Sequence, residues 1–254
     1  MTAARTFPDL LATLLRDNPS RPLVTAYDDA TGERTELSVT TYANWVAKTA
    51  NLFVDELMLD AGDTILLDLP PHWLGAVFLG GAWAAGLAVT TDPEVEAAAV
   101  VCGPDDLEHR PRSASGAPVV ACSLLPFAVR FRDPLPDRVQ DHGLLWPGQS
   151  DVFSPATPVT PDAPAWQPDG LTQEELLTRA AAGQDATDAS EVRLLTDAAP
   201  TWDAGVPAFL APLLSGGSLV LVRRPDDTQW SQHRDAERAT AELRLLPQAP
   251  RTRD

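Results

Sequence analysis

The residues able to do chemistry are few and scattered. Asp68 stands two residues before the pair Pro70-Pro71, and His72 follows that pair. Thr90, Thr91 and Asp92 close a second apolar run, Leu87 to Thr91. A carboxylate and an imidazole near one another serve general acid–base work, and a histidine opening a helix can meet a phosphate. Each also has a plain structural role. Asp68 suits a hydrogen-bonded strand end, His72 a helix start, and Thr90–Asp92 an ordinary strand-to-helix loop. Ser215 and Ser218 flank Gly216-Gly217 without forming a GxSxG elbow, and the chain carries no phosphate-loop signature and no HExxH. Cys102 and Cys122 form no CxxC pair, so two reduced core thiols are expected and no metal site.

Elements of two kinds must position these groups. Phe7 to Arg16 reads as an amphipathic helix capped by Thr6, with Leu10, Leu11, Leu14 and Leu15 on one face. Leu23–Tyr27 and Arg34–Val39 flank a turn ending at Gly32 and predict a hairpin. Thr40 or Thr41 is expected to cap a helix through Leu57, burying Tyr42, Trp45, Val46, Thr49, Leu52 and Phe53. Thr64–Leu69, the uncharged run His72–Ala85 and Leu87–Thr91 then read as strand, helix, strand, which places Asp68 and Thr90–Asp92 at the carboxyl ends of parallel strands. Ligands bind at such ends in open α/β sheets, so Thr90, Thr91 and Asp92 are the best positional candidates, with His72 and Asp68 beside them.

Farther on, Ala97–Cys102 and Pro118–Cys122 read as short strands on either side of segment 103–116, a helix or loop. Five prolines punctuate 155–168 and predict an extended loop anchored by Phe153 and Trp166. Leu171–Ala182 is a helix with the capping box Thr172/Glu175. Glu191–Thr196 is a strand, and Val206–Leu214 a helix stopped by Gly216-Gly217, before the strand Ser218–Val222. Residues 223–254 read as polar, with a helix near 235–245 and a tail. The fold class expected is therefore α/β, a mostly parallel sheet with flanking helices. Residues 1–222 form one domain of two lobes, about 1–146 and 171–222, joined by the proline-rich 147–170.

Composition narrows the function. The 254 residues carry 36 acidic and 19 basic side chains, a formal net charge of −17, and only one of the 19 is a lysine, Lys48. Such a surface repels phosphate backbones and anionic lipid, which argues against nucleic-acid and membrane roles. The longest apolar stretch, Trp73–Val89, is broken by Gly75, Gly80, Gly81 and Gly86 and reads as a buried helix and strand rather than a membrane span. The N-terminal apolar run stops at Arg16, too short for a signal segment, so a cytoplasmic protein is expected.

One block is more telling: Thr41-Tyr42, Ala61-Gly62-Asp63, Leu69-Pro70, then Ala84-Ala85-Gly86 to Asp92-Pro93. With Pro200, Gly205 and Leu210–Val222 further on, the order of these pieces resembles the N-terminal part of the adenylate-forming (AMP-binding) enzymes: acyl-CoA synthetases, luciferases and peptide-synthetase adenylation domains. It also resembles a group of short bacterial AMP-binding-like proteins. The resemblance runs from about Phe7 to Val222 and is weakest in the middle. It implies AMP, ATP or CoA as ligands. It also implies a Gly/Lys phosphate loop where this chain has Ser154–Asp162, without glycine or lysine and with prolines at 155, 158 and 161. The family's YGxTE tyrosine has no counterpart, since the only tyrosines are Tyr27 and Tyr42. Its catalytic lysine has none either, its PLFH histidine falls at Asp203, and the chain ends before the family's downstream half. Triphosphate chemistry needs cations and backbone donors, and prolines supply neither. The expectation is a degenerate, non-adenylating domain that binds a ligand or a protein partner, a second copy included. The alternative is an enzyme that reuses the pocket through Asp68, His72 or Asp92.

Overall fold

The computed structural model describes residues 4–105, 107, 116–182 and 191–245. Most of the expected 103–116 segment and the tail beyond 245 lie outside these residues.

Helix α1 (Phe7–Asp17) starts where Thr6 accepts a hydrogen bond from the Asp9 N–H, and it buries Phe7, Leu10 and Leu14. Strands β1 (Pro22–Asp28) and β2 (Glu33–Ser38) form the expected antiparallel hairpin. Helix α2 (Val39–Asn51) is capped by Ser38, whose side chain accepts from Thr41 N, rather than by Thr40 or Thr41. Its α-helical hydrogen bonds give way at Leu52–Glu56 to a π-helical turn, so the single helix expected through Leu57 is two pieces. Of its expected stripe, Trp45 remains partly exposed and the rest is buried.

Strand β3 (Thr64–Asp68), helix α3 (Trp73–Ala84) and strand β4 (Ala88–Thr90) form the expected parallel crossover, with Leu66 opposite Thr90. Helix α3 is buried on all sides because Gly80 and Gly81 let α2 approach. A Cβ on Gly80 would lie 2.4 Å from the Tyr42 hydroxyl, and one on Gly81 2.5 Å from Thr49. The Tyr42 hydroxyl donates to the Ala76 carbonyl at 2.8 Å and seals the contact.

Strands β5 (Ala99–Cys102), β6 (Val119–Ala121) and β7 (Val139–Asp141) continue the sheet outward from β3, all parallel. Cys102 and Cys122 are buried in different apolar clusters and form no disulfide, in line with two reduced core thiols. A short helix α4 (His142–Leu145) follows β7.

The proline-rich segment is tied down through its carbonyls. Lys48 Nζ donates to the Gln149 and Pro147 oxygens, and Asn51 donates to Ser150 and Val152 at 2.9 and 3.0 Å. It then adds β8 (Pro164–Trp166), parallel to β4, with the proline at the strand's first position. Strand β9 (Leu171–Thr172) pairs antiparallel with β8. Helix α5 (Gln173–Ala182) begins with the capping box as read: Thr172 N donates to the Glu175 carboxylate at 3.0 Å, and Glu175 N to the Thr172 hydroxyl at 3.3 Å.

Strand β10 (Arg193–Thr196), helix α6 (Gly205–Leu214) and strand β11 (Ser218–Arg223) follow. Gly216, at φ +74°, donates to Leu213 O and Gly217 donates to Pro212 O, the paired bonds that close a helix C-terminus. Beyond them the structure departs from expectation. Helix α7 spans Asp227–Glu237, set by the Asp226 cap, not 235–245. It ends at Arg238 in the left-handed region, and Ala241–Leu243 forms β12, parallel to β10. A strand therefore stands where a helix was expected.

The single sheet expected is two sheets. One runs β7-β6-β5-β3-β4-β8-β9, the other β12-β10-β11-β1-β2. Each is mostly parallel, and helices flank their shared core. The division into lobes 1–146 and 171–222 does not follow the sheets. The N-terminal hairpin pairs with β11, and the C-terminal residues 241–243 complete the same sheet.

Candidate functional site

The carboxyl ends of β1 and β11 open into a small cleft, about 20 Å³ in cavity volume and partly open to solvent. Asp28 and Arg223 form one wall, Glu33 and Thr35 of β2 another, and His72 and Trp73 at the start of α3 the third. Ala26, Tyr27 and Leu221 complete the lining. Helix α3 thus leaves one sheet with its N-terminus facing the end of the other.

Burial makes His72 a neutral group. It pushes the imidazole down to about 3, with Arg223 and His142 acting in the same direction and Asp28 against it. Its Nδ1 accepts from Leu74 N at 3.2 Å as the helix cap, so the ring proton sits on Nε2. A ring whose lone pair is spent on a cap is a donor, not a general base.

Asp28 is buried, which alone would raise its carboxyl. Two bonds from Arg224 and one from Ala30 N at 3.1 Å hold it below the usual carboxylate range instead, with Arg223 at 3.4 Å adding to the effect. Trp73 is buried, and its indole Nε1 has no hydrogen-bond partner. Beside it, Trp45 lies edge-on at 5.0 Å, and His142 is enclosed by Trp45, Phe78 and Trp146 with its own Nε2 unpartnered. Burial holds His142 down to about 3 as well.

Of the residues singled out from the sequence, only His72 lines the cleft. Asp68 ends β3 opposite Cys102 and is half-buried. Thr90 is buried at the end of β4, and its hydroxyl accepts from Asp92 N at 3.1 Å. Asp92 is exposed and accepts from Glu94 N at 2.9 Å, an ordinary side-chain-capped turn. Thr91 between them is half-buried. Asp28, Glu33 and Arg223 are the lining residues that sequence reasoning missed, and Trp73 was read only as part of the buried helix. The rule that selected Thr90–Asp92 would have selected Asp28 and Arg223 too, once β1 and β11 were known to be parallel neighbours. Among the described residues no cluster of His, Cys, Asp and Glu could hold a metal ion, and no helix is long and apolar enough to cross a membrane.

The segment Ser154–Asp162, which stands where the resemblance implies a phosphate loop, has neither helix nor strand and contributes nothing to the cleft. Lys48 is committed elsewhere. Besides its two carbonyls it pairs with Asp151 at 3.4 Å and lies 5.7 Å over the Trp146 ring.

Comparison with known proteins bears on this arrangement. No family model matches the chain. A protein of Mycobacterium tuberculosis (strain ATCC 25618 / H37Rv) described as a TIGR03089 family protein is 34% identical over 241 residues, which cover 92% of this chain and 96% of that one. Among solved structures, acetoacetyl-CoA synthetase from Streptomyces lividans superposes with a TM-score of 0.75 at 18% identity over 94% of this chain. The fatty acyl CoA synthetase of Mycobacterium tuberculosis gives 0.70 at 13% identity, and the acyl-CoA synthetase of Brucella canis 0.69 at 17%, each over 94%. The chain spans 42%, 49% and 52% of these three enzymes, about half of their length.

Proposed function

Since the chain belongs to the TIGR03089 family and has the fold of acyl-CoA synthetases, we propose that it is a small-ligand-binding domain that has kept this fold without the power to adenylate. The observation that carries the reading is the state of Lys48. In an adenylating site, cations and backbone donors meet the charge that develops on the triphosphate. The one lysine of these residues is spent on the carbonyls of Pro147 and Gln149 and the carboxylate of Asp151. The proline-bearing segment 154–162 lacks the amide donors of a phosphate cradle at three positions.

ATP–pyrophosphate exchange tests the reading. The purified chain is incubated with ATP, magnesium, labelled pyrophosphate and a panel of short, long and aromatic carboxylic acids. Exchange at the protein-free background with every acid is the expected result. Exchange above background with any of them, abolished by heat denaturation, would overturn the proposal.

A further inference from the structure

We propose that two copies of this chain associate in solution, the basic and apolar patch of Phe127, Val129, Arg130, Arg132 and Leu144 on one copy receiving the acidic turn Asp92–Glu96 of the other. The inference goes beyond the proposed function and does not depend on it.

The patch is the first argument. Phe127 is 80% exposed, Leu144 61% and Val129 47%. They are neighbours, not scattered side chains. The backbone of Val129 and Arg130 runs against Gly143, where a Cβ would fall 2.3 Å from Arg130 N and 2.6 Å from the Val129 carbonyl carbon, and Leu144 comes next. On the same run, Phe131 N donates to the Asp141 carboxylate at 2.8 Å. Single exposed apolar side chains are ordinary, but a contiguous group marks a surface of association. The loop that presents Phe127 is strained. Phe127 has φ +60°, Ala128 +49° and Leu124 +55°, left-handed backbone at three residues that all carry a Cβ.

Charge is the second argument. The chain has 36 acidic and 19 basic residues, yet Arg130 and Arg132 stand exposed at this patch. Among the described residues neither has a carboxylate partner, the adjacent Asp133 included. Such a surface selects carboxylates set beside an apolar side chain. The turn after β4 has that composition. Glu94, Val95 and Glu96 are consecutive and exposed, and Val95 N donates to Asp92 O at 3.2 Å. Among the described residues neither glutamate has a cationic partner.

Topology is the third. The turn follows β4 and the patch follows β6 and β7, parallel strands of one sheet with β3 and β5 between. At about 4.8 Å per strand, β4 and β6 lie roughly 14 Å apart. A two-fold axis between β3 and β5, along the sheet normal, brings the turn of each copy to the patch of the other. The contact is then made twice and the pair closes.

Sedimentation velocity of the whole chain at pH 7.5 tests the proposal. The expected result is a monomer–dimer equilibrium over about 1–100 μM that weakens at least about fivefold between about 50 and 500 mM salt. Phe127→Ser alters an exposed side chain and is expected to weaken the dimer about tenfold, with the circular dichroism unchanged. Arg130→Glu with Arg132→Glu should give a monomer, and adding Glu94→Arg with Glu96→Arg should restore the dimer. Rescue decides the matter, because a variant that had merely lost its fold would not regain pairing through four reversed charges. A monomer at every concentration, a dimer indifferent to Phe127→Ser, or reversed arginines that the reversed glutamates do not rescue would each overturn the proposal.

Discussion

His142 and His72 are both held neutral by burial, each near 3, well below the ordinary histidine value of 6.5. For such a group the unfolded chain takes up protons first. Stability that is complete above about pH 6.5 is therefore lost as the pH falls toward 3. Between pH 7 and 5.5 each of the two is expected to cost about 1 kcal/mol, before the carboxylates begin to titrate. His142→Phe keeps a ring among Trp45, Phe78 and Trp146 and removes an unpartnered nitrogen. Urea midpoints at the two pH values should show the dependence roughly halved in this variant. An unchanged pH dependence would mean that His142 is not the buried neutral group described. His72 was legible in the sequence as a helix-opening polar residue because the cap is a local event. Its neighbours Asp28 and Arg223 were not, because 195 positions separate them and nothing periodic connects them.

The element scale carries two predictions. Gly80 faces Tyr42 and Val46 across the α2–α3 contact, with a Cβ falling 2.4 and 2.7 Å from them. Gly80→Ala should destabilise the fold by about 1–3 kcal/mol through overpacking, read as a lower denaturant midpoint. A neutral result would mean the helices can part at no cost. Helix α7 is held differently. Trp230 is its one buried residue, packed with Leu195, Val220 and Val222. At its far end Glu237, 8% exposed in its side chain, takes bonds from Tyr27, Arg34 and Arg193. Burial raises the Glu237 carboxyl, but these three partners outweigh it and hold the group below its usual range. Glu237→Ala would leave the Arg193 guanidinium without a carboxylate and Arg34 with Glu36 alone, and should cost on the order of 3 kcal/mol. Amide exchange in 227–243 should rise before that of the rest of the sheet. Uniform acceleration across the whole chain would show that α7 is not a separate unit. The capping boxes, the hairpin and the C-terminal stop at Gly216-Gly217 were readable because each is written in a few adjacent residues. The helix expected near 235–245 lies earlier, because Asp226 caps α7 and Arg238, in the left-handed region, ends it.

At the scale of the molecule, the α/β class and the β3–α3–β4 crossover were legible, because long apolar runs with short connectors leave few alternatives. The partition into two sheets was not. Apolar strands such as β1, β10 and β11 match one another equally well by pattern, and pairing between chain ends leaves no local trace. The proline-rich segment misled for the opposite reason. Its missing N–H groups argue against regular structure, yet its carbonyls are held by Lys48 and Asn51, and Pro164 opens a strand.

The pairing of β1 with β11, Val24 opposite Leu219, also bears on how the chain comes into being. At a synthesis rate of about 5–20 residues per second, roughly 10–40 s pass between the emergence of the two strands. During that interval the β1–β2 hairpin has no second neighbour, and a lone hairpin is marginal in water. Synthesis thus makes one sheet buildable early and leaves the other awaiting residues 218–243. A chain stalled before residue 218 would expose the Leu23–Ala26 surface to chaperones and to its own kind.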